Sequence, residues 1–319
     1  MTHLILLLSS AAAIYLACEL FVNAIEHLGR ALKLGTIAVG SVLAAVGTAL
    51  PESIVTGVAV TIGDANDVGI GAALGGPLAL ATIAYAIVGV VLLLRHQSLG
   101  EVDVHRLTSD QRWFLVVFAA KIGVGLVAFS WKPWLGLLFF AGYAVYVASE
   151  LRADATDDGE DLEPLRLGRS ATPSLPPVLV QVLVSLAVIF VASEVFVAQL
   201  TWAGPQLGLS DAVTALLLAP IATELPEVAN AIIWVRQGKV QLALANISGS
   251  MMVQATVPSG LAILFTPWDL GGPLLLSAVA TAVAIVFLLA QTLRGRLSAR
   301  TLATVGLGYV AFAAALPFV

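Results

Sequence analysis

Two five-residue segments hold the residues best equipped for chemistry: Thr48-Ala49-Leu50-Pro51-Glu52 and Thr223-Glu224-Leu225-Pro226-Glu227. Both lie near the middle of long apolar runs. A proline inside a helix removes one backbone hydrogen bond and pushes away the carbonyl four residues earlier. For Pro51 that carbonyl belongs to Gly47, and for Pro226 to Ala222. Released carbonyls and threonine hydroxyls are neutral oxygen ligands, and Glu52 and Glu227 add charged ones. Two carboxylates with several neutral oxygens suit Ca2+, which takes roughly 6–8 oxygens. No histidine or cysteine cluster accompanies them, so softer metals such as zinc are disfavoured. Acids at membrane depth are costly and usually functional.

The elements that carry these segments follow from composition. The 319 residues are 59% hydrophobic and 11% charged, with mean hydropathy +0.99. A soluble domain is nearer a quarter charged. Apolar runs long enough to span a bilayer recur, so the sequence predicts an all-α polytopic membrane protein. Ten spans are expected, at 3–28, 36–62, 68–94, 112–130, 134–151, 176–201, 211–235, 240–265, 271–292 and 299–317. The first lacks a basic stretch before it and continues past Cys18, so it reads as a span and not as a cleaved leader. Cys18 is the single cysteine, which excludes a disulfide within the chain.

Thirteen of the fifteen basic residues fall in the loops that follow odd-numbered spans. They are Arg30, Lys33, Arg95, Arg106, Arg112, Arg152, Arg166, Arg169, Arg236, Lys239, Arg294, Arg296 and Arg300. The positive-inside rule makes those loops cytoplasmic and puts both termini outside. The polar, acidic segment 152–175 then separates a first unit, 1–151, from a second, 176–319. It is expected to be an acidic cytoplasmic linker; its acidic run, Asp154 to Glu163, reads as a flexible charged stretch, since its spacing does not fit a calcium-binding EF-hand loop.

The two units repeat each other. At a constant offset of 175, Glu19 matches Glu194, Phe21 matches Phe196, Gly29 matches Gly204, and Thr48, Leu50, Pro51 and Glu52 match Thr223, Leu225, Pro226 and Glu227. After a one-residue slip, Gly75, Ala81 and Thr82 match Gly249, Ala255 and Thr256. Five spans per unit is an odd number, so the second unit enters the membrane from the opposite side. Inverted repeats of this kind hold substrate near the midplane, where discontinuous helices meet.

These motifs carry a resemblance. G-T-A-L-P-E with G-A-A-L-G-G-P-L-A-L, and A-T-E-L-P-E with A-N-I-S-G-S-M-M-V-Q, resemble the two α-repeats of the cation/Ca2+ exchanger superfamily. They look most like its sodium/calcium exchanger branch, whose patterns are G-T-S-x-P-E and G-N-x-x-G-S-N-x-x-(N/D). The G-N-x-x-E-H pattern of the proton-coupled branch is absent. The resemblance covers essentially the whole chain. It implies secondary antiport by alternating access, exporting Ca2+ against Na+, with spans 1 and 6 sliding on the rest. It implies Glu52 and Glu227 as central ligands, with Thr48 and Thr223 beside them. Ser250 takes the serine of G-S-N and Gln254 the polar position four residues later. Carbonyls near Ala45 and Pro220 complete the implied set.

The departures from that pattern are specific. Ala49 and Gly76 stand where serines are usual, and Pro77 and Leu80 where asparagines are. Glu224 adds an acid where serine is common. Such an acid compensates charge, carries protons in an H+-coupled exchanger, or points away and caps a neighbour. The counter-ion therefore stays open between Na+ and H+, and a channel-like or non-transporting relative is a further alternative.

Several residues have plainer readings. Glu19 and Glu194 either bond across the repeat or line an ion path. Lys121, inside span 4, is expected to pair with an acid or snorkel to an interface in a structural role. Asp64, Asn66 and Asp67 read as a solvated turn. An enzyme is disfavoured, because His3, His27, His96 and His105 all lie at span ends or in loops and no H-E-x-x-H occurs. No cofactor, nucleic acid or large cytoplasmic regulatory domain is expected. The expected partners are the bilayer of the cell membrane and the transported cations, with the chain a monomer.

Overall fold

The computed structural model describes residues 2–61, 66–100, 102–127, 129–153, 162–208 and 211–318. The described residues form helices and connecting turns, with no strand among them. In chain order they are α1 (Thr2–Ala31), α2 (Thr36–Ala38), α3 (Ala45–Thr61), α4 (Asn66–Ala79), α5 (Tyr85–Leu94), α6 (Val104–Gly125) and α7 (Gly136–Ala153). The second half holds α8 (Leu175–Gln206), α9 (Asp211–Thr223), α10 (Leu225–Arg236), α11 (Val240–Phe265), α12 (Gly272–Leu293), α13 (Ala299–Val305) and α14 (Leu307–Ala315). Two π-helical segments, Val39–Ala44 and Leu80–Ala84, join α2 to α3 and α4 to α5. Such bulges insert an extra residue per turn and cluster at functional sites.

Seven helices among the described residues are long and apolar enough to cross a membrane. Thr36–Leu50 and Glu52–Thr61 form an eighth candidate, bent by 53° around Pro51. Two of the ten expected spans fall short for visible reasons. The stretch 211–236 is split at Glu224 into α9 and α10. Helix α6 starts at Val104, ahead of the expected 112, and includes Arg106, Asp110 and Arg112. Its polar turns hold because Asp103 caps them, accepting from Arg106 N at 3.0 Å. Behind that cap, buried partners take up the charges. Arg106 meets Glu150 at 3.4 Å, Ser41 donates to Glu150 at 3.1 Å, and Tyr146 donates to Asp110 at 3.4 Å.

Helix α11 is the packing centre and touches α3, α4, α6, α7 and α10. Small residues let backbones approach it closely, as bilayer helices require. A Cβ on Gly249 would lie 2.6 Å from Ser41 Cα, and one on Gly40 would lie 3.0 Å from the Leu242 carbonyl. Helices α1 and α8 pack against each other and leave Leu16, Leu183 and Val191 exposed. Those outward apolar faces are where lipid tails belong.

The acidic run expected to be flexible lies almost wholly outside the described residues, and the segment that follows it is held in place. Residues 162–174 dock on α1 and α8 because three buried polar side chains satisfy their backbone. Asn23 Oδ1 accepts from Arg166 N at 3.0 Å, His27 Nε2 meets the Glu163 carbonyl at 2.9 Å, and Gln181 Oε1 accepts from Leu167 N at 2.7 Å. Leu165 is fully buried. Glu19 pairs with Arg166 of this segment at 3.2 Å. The acids Asp154 to Asp161 lie outside the described residues, as do Asp64 and the side chains of Asn66 and Asp67.

Candidate cation site

The two T-x-L-P-E segments sit where helices deviate. Helix α3 continues through Pro51 with the bend described above. In the second half the helix stops: Glu224 has φ −85° and ψ 4°, and α10 restarts at Leu225 with Pro226 in its first turn. A proline there costs little, because the first N–H groups of a helix have no intrahelical partner. Glu227 also falls in that first turn, where the helix dipole favours a carboxylate.

Around these breaks lie three carboxylates. Glu227 is 0% exposed, and neither of its carboxylate oxygens has a hydrogen-bond partner. Glu52 Oε2 is likewise buried without a partner. Glu227 and Glu224 are both close enough to Glu52 for their charges to interact. Glu224 is buried, and Gln254 Nε2 donates to both of its oxygens, at 2.7 and 2.8 Å. Its side chain caps nothing. It lines, with Glu52, Thr56, Glu194, Thr223 and Gln254, a cavity of about 160 Å3. Glu194 stands there as an exposed residue, while its repeat mate Glu19 is tied to Arg166.

The remaining sequence candidates divide. Thr48 lies fully buried beside Glu227 and donates to the Ala44 carbonyl at 3.1 Å. Thr223 donates to the Pro220 carbonyl at 3.2 Å. Both hydroxyls thus keep their lone pairs available. The Pro220 carbonyl also accepts from Glu224 N at 3.1 Å, so the local turn already uses it. Ala45 opens α3 and packs with Ala49 and Val253. Ser250 is fully buried and its hydroxyl has no partner; Gln254 Oε1 is also unpaired. Among the described residues, no three His, Cys, Asp or Glu side chains converge tightly enough to hold a metal ion by themselves. Any cation here would need neutral oxygens as well.

Three further residues join these candidates. Asn230 and Asn246 are fully buried with all four side-chain amide atoms unpartnered, and the Thr56 hydroxyl is unpartnered too. Their signal was spacing. Asn230 follows Glu227 by three residues, Thr56 follows Glu52 by four, and Asn246 precedes Ser250 by four. Each therefore shares a helix face with a candidate ligand. Buried polar groups are normally paired, so this concentration of open ones marks a site built to receive something polar.

Gly76 accounts for the lopsided motif. A Cβ there would lie 2.7 Å from Glu224 Oε1 and 2.9 Å from Gln254 Cδ. The room a serine would occupy is filled by the Gln254 amide, whose oxygen lies nearest, together with the carboxylate it holds. The lost serine of the first half and the gained acid of the second are therefore one structural exchange.

Lys121 follows neither expectation. It is 0% exposed and donates to the Ala73 carbonyl at 2.8 Å and to Ser259 Oγ at 3.1 Å, with its ammonium 4.8 Å from the Phe118 ring centre.

Comparison with known proteins agrees with this architecture. The model of a family described as sodium/calcium exchanger protein matches residues 2–151 and 177–316. Inner membrane protein YrbG of Escherichia coli (strain K12) is 26% identical over 295 residues, covering 89% of this chain and 87% of that protein. A protein of Alkalimonas amylolytica named "Putative antiporter CaxA" is 25% identical over 258 residues, covering 79% and 77%. Among solved structures, the sodium-calcium exchanger NCX_Mj soaked with 10 mM Na+ and zero Ca2+ superposes with TM-score 0.79 at 18% identity, covering 98% of each chain.

Proposed function

The chain belongs to the sodium/calcium exchanger protein family, and from that premise we propose that it is a secondary-active antiporter of the cell membrane that exports Ca2+ in exchange for Na+. Ten spans in two inverted units, 1–151 and 176–319, carry the exchange, with both termini outside and residues 152–175 in the cytoplasm. The family and the NCX_Mj-like fold support cation antiport, and the inner-membrane relative supports the location.

One observation carries the ion assignment. Glu52 and Glu227, from equivalent positions of the two halves, come within electrostatic reach of each other while keeping unpaired buried oxygens. Isolated buried carboxylates are among the costliest groups a protein can hold, and a cation removes that cost. Thr48, Thr223, Ser250 and Gln254 then supply neutral oxygens, with Glu224 as a third charge and carbonyls near Ala45 and Pro220 in reserve. The cavity runs from Glu52 past Thr56 and Glu194. On the orientation given by the basic residues it leads outward, which suits an outward-facing state. Alternating access follows if α1 and α8, which pack on each other at the periphery, slide against the core to close this path and open the opposite one.

A second reading rests on the Glu224–Gln254 pair: the exchange is H+-coupled, and Glu224 carries the proton. Radiolabelled calcium uptake into proteoliposomes separates the two. Vesicles are loaded with Na+, with acid, or with neither, and Glu227→Gln runs alongside. The proposal expects uptake from Na+-loaded vesicles only, abolished by the substitution. Uptake driven by acid alone moves the coupling to Glu224. No calcium movement under any gradient refutes calcium exchange and leaves another cation or a non-transporting relative, whereas uptake into vesicles loaded with neither ion marks a channel-like one.

A further inference from the structure

The membrane face of the second unit carries a groove that the exchange does not use. Helix α12 and the broken helix α13–α14 leave between them an open furrow of about 670 Å3. Leu276, Val283 and Phe287 belong to one wall, and Leu307, Ala311 and Ala315 to the other. Val283 is 62% exposed and Leu307 67%, so the furrow faces lipid. From Leu276 to Phe287 the wall rises about 17 Å, at roughly 1.5 Å per residue. That is close to half of a hydrocarbon core about 30 Å thick, the depth of one leaflet.

One end of the groove is charged. Arg294 follows Phe287 by seven residues, about two helical turns, and Arg300 precedes Thr304 by four. Phe287 and Thr304 both line the groove, so each arginine stands above the groove-lining face of its own wall. Arg296 lies in the turn between them. All three are exposed, and among the described residues none forms an ion pair. Asp269 is the last acid in the chain, so this hairpin holds no acid to answer them. The distribution of basic residues places this end in the cytoplasmic leaflet. The equivalent hairpin of the first unit differs on both counts. Its groove, between α6 and α7, holds about 190 Å3, and its loop cation Lys132 is paired with Asp269 at 3.1 Å.

We propose that the groove between α12 and α13–α14 is a binding site for one anionic phospholipid of the inner leaflet. The acyl chains lie along Val283 and Ala311, and Arg294, Arg296 and Arg300 donate charge-assisted hydrogen bonds to the phosphate. Basic clefts between membrane helices on the cytoplasmic side recognise such headgroups. The lipid also has structural reach. Leu276, Ala280 and Phe312 line the groove and pack in one cluster with Leu78 and Ala79 of α4 and Ile221 of α9. Tyr309 of α14 donates to the Leu217 carbonyl of α9 at 2.7 Å. A bound lipid thus braces the hairpin against the two helices that carry Gly76 and Thr223, whichever ions are exchanged.

The test is native mass spectrometry of the detergent-purified full chain, titrated with dioleoyl-phosphatidylglycerol or dioleoyl-phosphatidylcholine. Each arginine near an anionic group favours it roughly fivefold, so one phosphatidylglycerol should bind on the order of 100-fold more tightly than phosphatidylcholine. Arg294→Gln/Arg296→Gln/Arg300→Gln should bring that ratio below about fivefold. Arg95→Gln/Arg112→Gln/Arg152→Gln removes the same charge elsewhere on the cytoplasmic face and should leave the ratio intact. Ala311→Phe fills the groove from its exposed wall and should weaken phosphatidylglycerol about tenfold, the loss of about two buried methylenes. Excess glycerol phosphate should not displace the lipid.

The proposal is overturned by a wild-type protein that binds the two lipids alike, or by the groove triple variant keeping the preference. It is equally overturned if the control triple variant loses the preference, or if Ala311→Phe binds as tightly as wild type. Displacement by glycerol phosphate makes this a site for free phosphate and overturns the lipid assignment. If the groove triple variant does not fold, the wild-type ratio and Ala311→Phe still decide.

Discussion

Restoring a serine at position 76 should damage this protein unless Glu224 is changed as well. In Gly76→Ser the new Cβ meets the Gln254 side-chain oxygen most closely, with Glu224 Oε1 at 2.7 Å and Gln254 Cδ at 2.9 Å, all well inside ordinary contact, and Gln254 is free to turn away only once Glu224 no longer holds it. Both partners are buried, at 1% and 2% exposure, so neither swings into solvent. Overpacking costs about 1–3 kcal/mol, and loss of a hydrogen bond to a charged group costs about 1.5–3 kcal/mol. The single substitution should therefore cost roughly 2–4 kcal/mol once partial relaxation is allowed. Glu224→Ser alone leaves the Gln254 amide unpaired and costs about 1–3 kcal/mol. In the double variant Gln254, released from the carboxylate, shifts into the space Glu224 vacates and makes room for the serine at 76, and the two costs fall below their sum by about 2 kcal/mol. Thermal unfolding of the detergent-solubilised protein reads this out. Cys18, the single and fully buried thiol, reacts with a fluorogenic maleimide only as the chain opens. At about 2 °C per kcal/mol for a chain of this size, Gly76→Ser melts roughly 4–8 °C early and the double variant recovers about 4 °C of the combined loss. Costs that add to within about 0.5 kcal/mol would refute the claim that the missing serine and the added acid share one space.

Gly249→Ala places a methyl against backbone that cannot rotate away, with Ser41 Cα at 2.6 Å; it should cost about 3 kcal/mol or more and appear as loss of monodisperse protein on size exclusion. Glu194→Gln removes an exposed charge that lines the cavity and leaves the buried ligands alone. It should weaken calcium's apparent affinity a few-fold at low ionic strength and have little effect at about 1 M salt, where screening is nearly complete.

How far this was legible in the sequence depended on whether the determinants were local. The carboxylates Glu52 and Glu227 announced themselves, because a T-x-L-P-E segment inside an apolar run is anomalous by residue type alone. The α6 start did not, since hydropathy counts Arg106 and Asp110 as polar whether or not Glu150 and Tyr146 lie across from them. Lys121 was misread for the same reason. Its partners are Ala73 and Ser259, 48 and 138 residues away, and neither is an acid that a search for ion pairs would consider. Asn230, Asn246 and Thr56 are legible only as helix-face neighbours of Glu227, Ser250 and Glu52, because a single neutral polar residue in an apolar run is a weaker anomaly than a charge. The docking of residues 162–174 was hidden behind composition: the acids suggested a free linker, while Asn23, His27 and Gln181 on two distant helices held the backbone in place.

The same motif behaves differently in the two halves, and the backbone explains why the extra acid lies in the second. Helix α3 carries its chain through Pro51 with a bend, so Ala49 lies inside continuous helix and Glu52 meets no free helix start. In the second half the helix stops at Glu224 and restarts at Leu225. That restart exposes unpaired N–H groups and the positive end of a helix dipole beside Glu224 and Glu227, an environment worth about 0.3–1 kcal/mol to a nearby carboxylate, and more when partly buried. Gln254 adds two hydrogen bonds from α11, and Gly76 on α4 gives the side chain its room. An acid at position 49 would have neither the helix terminus nor, with Leu80 at the position equivalent to Gln254, an amide to receive it. Repetition thus supplies two similar scaffolds, and the point at which each helix yields decides how much charge each can hold.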